Sequence, residues 1–389
     1  MDEAQKNILR SVRALFPEMK RLATFIGMHP ELAFKEFKAQ EKLTTFLKHH
    51  GFKVQKGVGG IKTSFLATMA RGQGPKIGFL AEYDALPGIG HACGHNLIGV
   101  ASSAAAVALA KGFPDFSGTV CVVGCPAEEG GGGKILLAKK GIFKKLDCAM
   151  MAHPDCKTEV VKKMLALLEI DIEFFGRASH AAAEPEKGIS ALNAAVNSYQ
   201  EILKMSKTLR SDSRVHGIFT NGGTKPNIIP AYVALKYYVR ALDMKVAQKT
   251  IEKIKSISLK EAKKIGAKVK FTLNPLAYEP FHPNYTLANI FKRQLKILKV
   301  KNEQGSETER IGSSDVGNVG QLIPTIHPSI KICDHAFCHT IDFAKAALVP
   351  RGFKSMMQAA SALALTAHEI FLNPNLLQKM KAEFQQRKR

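Results

Sequence analysis

The sequence contains no tryptophan and only seven tyrosines among its 389 residues. Aromatic side chains are the platforms on which nucleic-acid bases stack, so their scarcity disfavours a nucleic-acid partner even at a formal net charge of +23. The lysines are spread along amphipathic segments such as 244–264 and are not gathered in one block with aromatics. We therefore expect a solvated basic surface, which would attract acidic small molecules.

The chain also lacks a long hydrophobic run, a secretory pattern and an even number of cysteines. Its longest weakly polar run, 97–110, contains two serines and is too short to cross a bilayer. The apolar residues within 1–16 are spaced as one face of an amphipathic helix. The seven cysteines are scattered, which is typical of reduced thiols. These absences predict a cytoplasmic protein with no membrane partner.

Apolar strands alternate with helices in the first part of the chain. Strands are predicted at 76–82, 119–124 and 148–152, and helices at 96–111 and 134–140. This alternation indicates an α/β catalytic domain with a mostly parallel sheet covered by helices.

From about residue 165 the order of elements changes to β-α-β-β-α-β, which is the ferredoxin-like α+β arrangement. After residue 278 the signals of the first domain resume. We therefore expect a discontinuous domain, 1–165 and 278–389, into which a compact domain at 166–277 is inserted.

Potential metal ligands follow three successive strands of the predicted sheet. They are Asp84, Cys93 and His95 after the first strand, Glu128 and Glu129 after the second, and His153 after the third. Ligands of open α/β sheets bind beyond the carboxyl ends of the strands, so we expect these side chains to converge. Thiolate, imidazole and carboxylate together are typical donors for borderline divalent metals.

Glu128 and Glu129 are adjacent and precede a glycine-rich turn. Neighbouring carboxylates point in different directions, so one could bind a metal while the other accepts a proton from water. A solvated acidic turn is the alternative for the pair alone, and the surrounding donor residues disfavour it.

Four further residues are candidates, and a structural role is the alternative for the first two, His180 and Asn227. His180, in GRASHAAAEP, and Asn227, in TKPNIIP, could contact a substrate oxygen. Among three later histidines, His327 precedes a proline and is predicted to be structural, whereas His339 could be a further metal ligand, with His335 as the fallback.

Motifs along nearly the whole chain resemble one family, the dinuclear metallo-amidohydrolases and dipeptidases that include aminoacylases, hippurate hydrolase and auxin-conjugate hydrolases. The motifs are HPELAF, DALP, HACGHN, PAEEGGGGK, GRASHAAAEP, PNIIP, SSDVGNV and HTIDF. The segment AEYDALPGIGHACGHN is most similar to the corresponding sequence of the subgroup that contains β-alanyl-lysine dipeptidase and aminobenzoyl-glutamate hydrolase.

The resemblance implies two divalent ions per subunit, zinc or manganese, and a homodimer formed through the inserted lid domain. Its implied metal ligands are Cys93, shared between the ions, His95, Glu129, His153 and His339. Glu128 would be the general base for a metal-activated water, Asp84 would orient the site, and His180 would stabilise the oxyanion of the partner's site, near Asn227.

Three functional hypotheses follow. The leading one is hydrolysis of a dipeptide, possible substrates being of the β-alanyl-lysine type with C-terminal lysine or ornithine. The second is hydrolysis of an N-acyl amino acid or of aminobenzoyl-glutamate. The third lies outside the enzyme class and is a basic binding scaffold.

Overall fold

The computed structural model describes residues 1–303 and 311–388, which form two compact units. Among the described residues, the first unit comprises 1–162, 282–303 and 318–388, and the second comprises 163–281 and 311–317. The sequence analysis placed all of 278–389 in the first domain. The compact units differ from the predicted bounds at 163–165, 278–281 and 311–317. In the last of these segments, Gly312 O accepts a hydrogen bond of 2.8 Å from the amide of Leu165.

The described residues contain strands and helices with the following bounds. The strands are β1 (Lys53–Lys56), β2 (Phe65–Arg71), β3 (Lys76–Glu82), β4 (Gly118–Cys125), β5 (Cys148–Met150), β6 (His153–Asp155), β7 (Ala166–Phe175), β8 (Arg214–Asn221), β9 (Tyr232–Ala241), β10 (Lys268–Leu273), β11 (Thr325–Ile326) and β12 (Ser329–Lys331). The helices are α1 (Glu3–Met28), α2 (Phe37–His49), α3 (His95–Gly112), α4 (Gly133–Lys139), α5 (Ala191–Ser206), α6 (Met244–Ile265), α7 (Tyr285–Ile297), α8 (Val316–Gly320), α9 (Ile341–Ala346), α10 (Pro350–Leu372) and α11 (Pro374–Lys388).

The main sheet of the first unit has the strand order β1-β2-β4-β3-β5-β11. The four strands β4, β3, β5 and β11 are parallel, and β2 and β1 continue the sheet antiparallel at one edge. β3 lies in its middle and is buried after its first residue, as its nearly continuous apolar sequence predicts. The parallel strands therefore bring the residues that follow β3 and β4 to the same edge.

His153 is an exception to the predicted arrangement. It does not end β5 but begins β6, a short strand that pairs in parallel with β12 in a separate two-stranded sheet. Because the chain breaks between β5 and β6, the position of His153 is set by the pairing of β6 with β12.

Helix α3 is made of small residues and is buried along almost its whole length. It packs against β3 on one side and against α1 and α10 on the other. The Asn96 side chain donates a 3.1 Å hydrogen bond to Ala23 O of α1. Small side chains permit this close packing, which fixes the amino-terminal end of α3.

The second unit contains an antiparallel sheet of order β10-β7-β9-β8, with α5 and α6 packed against it. Asp243 caps the start of α6, and Gly266 ends it at a φ of +77°. The chain order and the strand order together are those of the ferredoxin-like fold, so the predicted fold class is confirmed.

Within the described ranges, none of the helices has both the length and the apolar character needed to span a membrane.

Candidate metal centre

Cys93 and His95 lie at the turn between β3 and α3, and the glycine between them fixes the backbone. Gly94 has a φ of +73°, and a Cβ at this position would lie 2.8 Å from Pro154 Cγ. Both neighbouring residues are buried. Glycine is therefore required here, and it holds a thiol and an imidazole inside the fold, beside the edge of the sheet.

Asp84 fixes the orientation of the His95 ring. His95 Nδ1 lies 3.0 Å from both the main-chain oxygen and Oδ1 of Asp84, two acceptors that place the ring proton on Nδ1. Burial by itself would raise the pKa of Asp84, but the adjacent His95 and the amide of Glu129 hold that pKa below its usual value. With a metal ion bound, the neutral ring would present the lone pair of Nε2 to the site.

The loop that carries Glu128 and Glu129 is held by two buried carboxylates. The amide of Ala127 donates a 2.9 Å hydrogen bond to Glu36 Oε1, and the amide of Glu129 donates one of 2.9 Å to Asp84 Oδ2. Ala127 has a φ of +58°, a costly conformation for a residue with a side chain. The two hydrogen bonds stabilise this conformation of the loop.

Both glutamate side chains turn towards His95. Glu128 Oε2 and Glu129 Oε1 each lie 4.0 Å from His95 Nε2. The Glu128 side chain is 12% exposed, so it reaches the surface of the site more than its neighbour does. The two carboxylates are thus beside the same imidazole nitrogen.

His153 approaches from β6. Its Nδ1 donates to Pro154 O at 2.7 Å, which leaves Nε2 for a ligand, and its ring centroid lies 5.8 Å from that of His95. Burial lowers the pKa of His153, so the neutral ring is favoured. One donor atom from each of Cys93, His95 and His153 lies within 4.8 Å of the others. We call these three residues the inner triad.

His339 completes a second group. Its Nε2 lies 3.3 Å from Glu129 Oε2, and donor atoms of Cys93, Glu129 and His339 also lie within 4.8 Å of one another. We call these residues the outer triad. The amide of His339 donates to Ala92 O at 2.9 Å, and its φ is +68°. The thiol of Cys338, the preceding residue, hydrogen-bonds with that of Cys93.

His335 is exposed and belongs to neither triad, nor to any other donor group among the described residues. The backbone turn at 338–340 directs His339, and not His335, towards Glu129.

The donor atoms fit divalent cations. His95 Nε2 and Glu129 Oε1 are buried and have no hydrogen-bond partner among the described residues, which is costly for polar atoms unless an ion satisfies them. A mixed set of thiolate, imidazole and carboxylate suits zinc and similar metals. Because the two triads share Cys93, two ions bound to them would share its thiolate.

His180 and Asn227 lie in the second unit and are neighbours there. His180 pairs with Ile228 in an isolated β-bridge, and the amide of Ala181 donates to Asn227 O at 3.0 Å. The amides of residues 182 and 183 both lie 3.2 Å from His180 Nδ1 and donate to it. The ring proton is therefore on Nε2, and the exposed side chain of His180 offers an N–H donor.

Three buried charged residues near the site were missed by the sequence analysis: Glu36, Glu82 and Lys134. The sequence pattern predicts Glu82 only as the end of an apolar strand. A carboxylate at that position, followed two residues later by Asp84, was the available signal. Lys134 at the end of the glycine-rich turn gave no signal without its spatial partner.

Known proteins similar to this chain identify its family. Residues 166–266 match a family model described as the M20 peptidase dimerisation domain. A curated relative, Xaa-Arg dipeptidase of Mus musculus, is 37% identical over 379 residues, which cover 93% of this chain and 88% of the relative. The chain belongs to the M20 family. The family predicted from the sequence motifs is therefore confirmed, and this M20 protein is a hydrolase of the peptidase and amidohydrolase class.

Two further relatives extend the match. Xaa-Arg dipeptidase of Homo sapiens is 35% identical, with 97% of the M20 protein and 91% of the relative covered. One of the subunits of p-aminobenzoyl-glutamate hydrolase from Escherichia coli is 28% identical, with 99% and 96% covered.

Solved structures share the fold of this M20 protein. A putative aminohydrolase from methicillin-resistant Staphylococcus aureus superposes with a TM-score of 0.78 at 18% identity, covering 94% of this chain and 99% of its own. A dinuclear metal-binding M20 peptidase from Bacillus subtilis gives a TM-score of 0.72 at 19% identity, covering 92% and 99%.

Proposed function

We propose that this M20 hydrolase cleaves the amide bond of dipeptides with a basic C-terminal residue, such as lysine, ornithine or arginine. The dipeptide substrate is supported by the mouse and human relatives, which are Xaa-Arg dipeptidases. The observation that carries the metal-dependent reaction is the meeting of two donor triads at Cys93.

The proposed ligands of two divalent ions, zinc or manganese, are the inner and outer triads with Cys93 in common. When bound, the ions would polarise the scissile carbonyl and activate the attacking water. Asp84 holds the proton on His95 Nδ1, so that Nε2 stays available as a ligand. His153 is oriented in the same way by a main-chain oxygen.

Glu128 is the proposed general base. It belongs to neither triad with Cys93, yet its carboxylate lies 4.0 Å from His95 Nε2 and is partly open to the site. From there it takes a proton from the attacking water and delivers it to the leaving amine.

His180 is the proposed oxyanion donor, and Asn227 a substrate contact beside it. The supporting observation is that His180 Nδ1 accepts hydrogen bonds from two amides, which leaves Nε2–H of this exposed side chain as a donor. We further propose that residues 166–277 form a lid and dimerisation domain within a cytoplasmic homodimer, in which His180 serves the active site of the partner. The match of 166–266 to a peptidase dimerisation domain supports this assembly.

A second candidate substrate class is aminobenzoyl-glutamate or another N-acyl amino acid. The Escherichia coli relative supports it, and the net charge of +23 favours encounter with an anionic substrate. Net charge acts on encounter more than on the fit of a side chain in a pocket, so we rank this class second. Membership of the M20 family favours hydrolysis over a basic binding scaffold.

The test is a substrate comparison with zinc-loaded and manganese-loaded protein. We expect kcat/KM to be higher for β-alanyl-lysine and for dipeptides ending in arginine than for p-aminobenzoyl-glutamate or N-acetyl amino acids. The reverse order would replace the dipeptide assignment by the second class. Absence of hydrolysis together with salt-sensitive DNA retention would support the scaffold instead.

A further inference from the structure

Glu82 and Lys134 form an ion pair that is completely removed from solvent. Glu82 is the last residue of β3, Lys134 is the second residue of α4, and both are 0% exposed. Lys134 Nζ lies 2.5 Å from Glu82 Oε1. Burying two charges costs about as much free energy as their attraction returns, so such a pair is weak evidence for a stabilising role. The position of this ion pair beside the candidate metal centre indicates a role in metal binding instead.

The second oxygen of Glu82 faces His95. Glu82 Oε2 lies 3.4 Å from His95 Nε2, and neither atom has a hydrogen-bond partner among the described residues. When the His95 ring is neutral with its proton on Nδ1, as a metal ligand must be, Nε2 and Oε2 face each other with lone pairs. Two buried lone pairs at this distance repel each other unless a cation lies between them.

The spacing of these two atoms fits joint coordination. Metal–nitrogen and metal–oxygen bonds of about 2.0–2.2 Å place two donors of a tetrahedral site roughly 3.4 Å apart. The outer triad shows nearly the same spacing, 3.3 Å, between Glu129 Oε2 and His339 Nε2. A carboxylate oxygen of Glu82 also lies within 4.8 Å of one of Glu128, so Glu82 faces the side of the site where the base lies.

We infer that Glu82 is an additional ligand of the ion held by the inner triad, and that Lys134 positions it. The inference rests on the proposed two-metal function. Lys134 occupies Oε1, which leaves Oε2 as the single oxygen that Glu82 can offer. It also cancels the charge of the carboxylate when no ion is bound, so that the apoprotein does not bury an uncompensated anion.

Zinc binding tests this inference. Removing only Glu82 would take away the carboxylate that faces the buried Lys134 ammonium, so the informative variant is the neutral pair Glu82→Gln/Lys134→Met. We expect one of the two zinc sites of this variant to weaken at least about tenfold, measured by competition with a chromophoric chelator, because partners that only support a ligand already contribute tenfold to a hundredfold. The visible spectrum of the Co²⁺-loaded variant should change as well.

Glu82→Asp is the second variant, because it keeps the charge and withdraws the oxygen by one methylene. It should weaken the same site, and it remains informative if the double variant does not fold. Zinc affinities within twofold of the unaltered protein in whichever variant folds would overturn the inference. So would a change in apoprotein stability alone, since that would mean a proton on His95 Nε2 occupies the place assigned to the ion.

Cys93→Ser separates this inference from the proposed function. If Cys93→Ser loses zinc while the Glu82 variants retain both sites unchanged, only the assignment of Glu82 fails. If Cys93→Ser also binds two zinc ions with unchanged affinity, the two-metal centre itself is wrong.

Discussion

The two triads that meet at Cys93 differ in how firmly their other ligands are held. In the inner triad, each histidine has Nδ1 engaged by an oxygen of the protein, from Asp84 for His95 and from Pro154 for His153. In the outer triad, the side chain of His339 is 60% exposed and its backbone has a φ of +68°. The inner site is therefore preorganised, whereas the outer site depends on a strained residue at the surface.

This difference assigns different tasks to the two sites. A buried, preorganised site binds its ion tightly and exchanges it slowly. An open site gives access to substrate and water, and residues in strained conformations are common at such positions. We expect the outer ion to be the first that a chelator removes.

The largest effect is expected from Glu128→Gln, which should lower catalytic activity without weakening metal binding by either triad. Loss of a general base typically lowers kcat about 10²–10⁴-fold. Because Glu128 belongs to neither triad, zinc content should stay at the level of the unaltered protein. Steady-state kinetics and metal analysis of one preparation check both. A variant that loses zinc in proportion to activity would make Glu128 a ligand instead.

His180→Ala tests a residue outside both triads. Removing one oxyanion donor costs about 10²–10³-fold in kcat, and we expect a loss of that size with unchanged zinc affinity. His216→Ala, at another exposed histidine of the second unit, is the matched control and should retain activity. Full activity of His180→Ala would remove His180 from the mechanism.

Two variants, each lacking one ligand of one triad, directly test whether the triads hold ions that exchange at different rates. His153→Ala should weaken the slowly exchanging ion and His339→Ala the rapidly exchanging one, each by at least about tenfold to a hundredfold. Chelator-driven zinc release, followed by stopped-flow absorbance, should show two phases in the unaltered protein and the loss of a different phase in each variant. If both variants lost the same phase, the distinction between inner and outer sites would be wrong.

The smallest effect concerns the support of the loop that carries Glu129. Burial raises the pKa of Glu36 from 4.5 to about 7. Between these values the folded protein keeps Glu36 protonated while the unfolded chain ionises it. Stability therefore falls as pH rises through this window and is constant above it, the total loss being about 3 kcal/mol.

Glu36→Gln cannot ionise but can still accept the hydrogen bond from Ala127. We expect the free energy of unfolding of the unaltered protein to fall by about 2–3 kcal/mol relative to this variant between pH 5 and pH 8. Urea unfolding of chelator-treated protein measures it. A difference that does not change with pH would show that Glu36 is already ionised in the folded state.

Most of the fold was predictable because its signals are local. Strand β3 is a continuous apolar run, α3 is a run of small residues, and the switch to β-α-β-β-α-β order marks the second unit. The donors Cys93, His95, Glu128 and Glu129 were predicted to converge because parallel strands end at one edge of a sheet.

The remaining features depend on contacts that are distant in sequence. The backbone break that gives His153 its own strand appears only when β6 pairs with β12, and segment 311–317 joins the second unit through Leu165. Glu82 in isolation is one charge at the end of a strand. The proposed role of Glu82 as a metal ligand depends on Lys134, 52 residues later, and on the tautomer of His95.

The most direct test of the account is the anomalous scattering of zinc in crystals of the protein. We expect two ions about 3.5–4 Å apart, each about 2.3 Å from Cys93 Sγ, one also bound by His95 and His153 and the other by Glu129 and His339. A single ion, or two ions of which only one contacts Cys93, would contradict it.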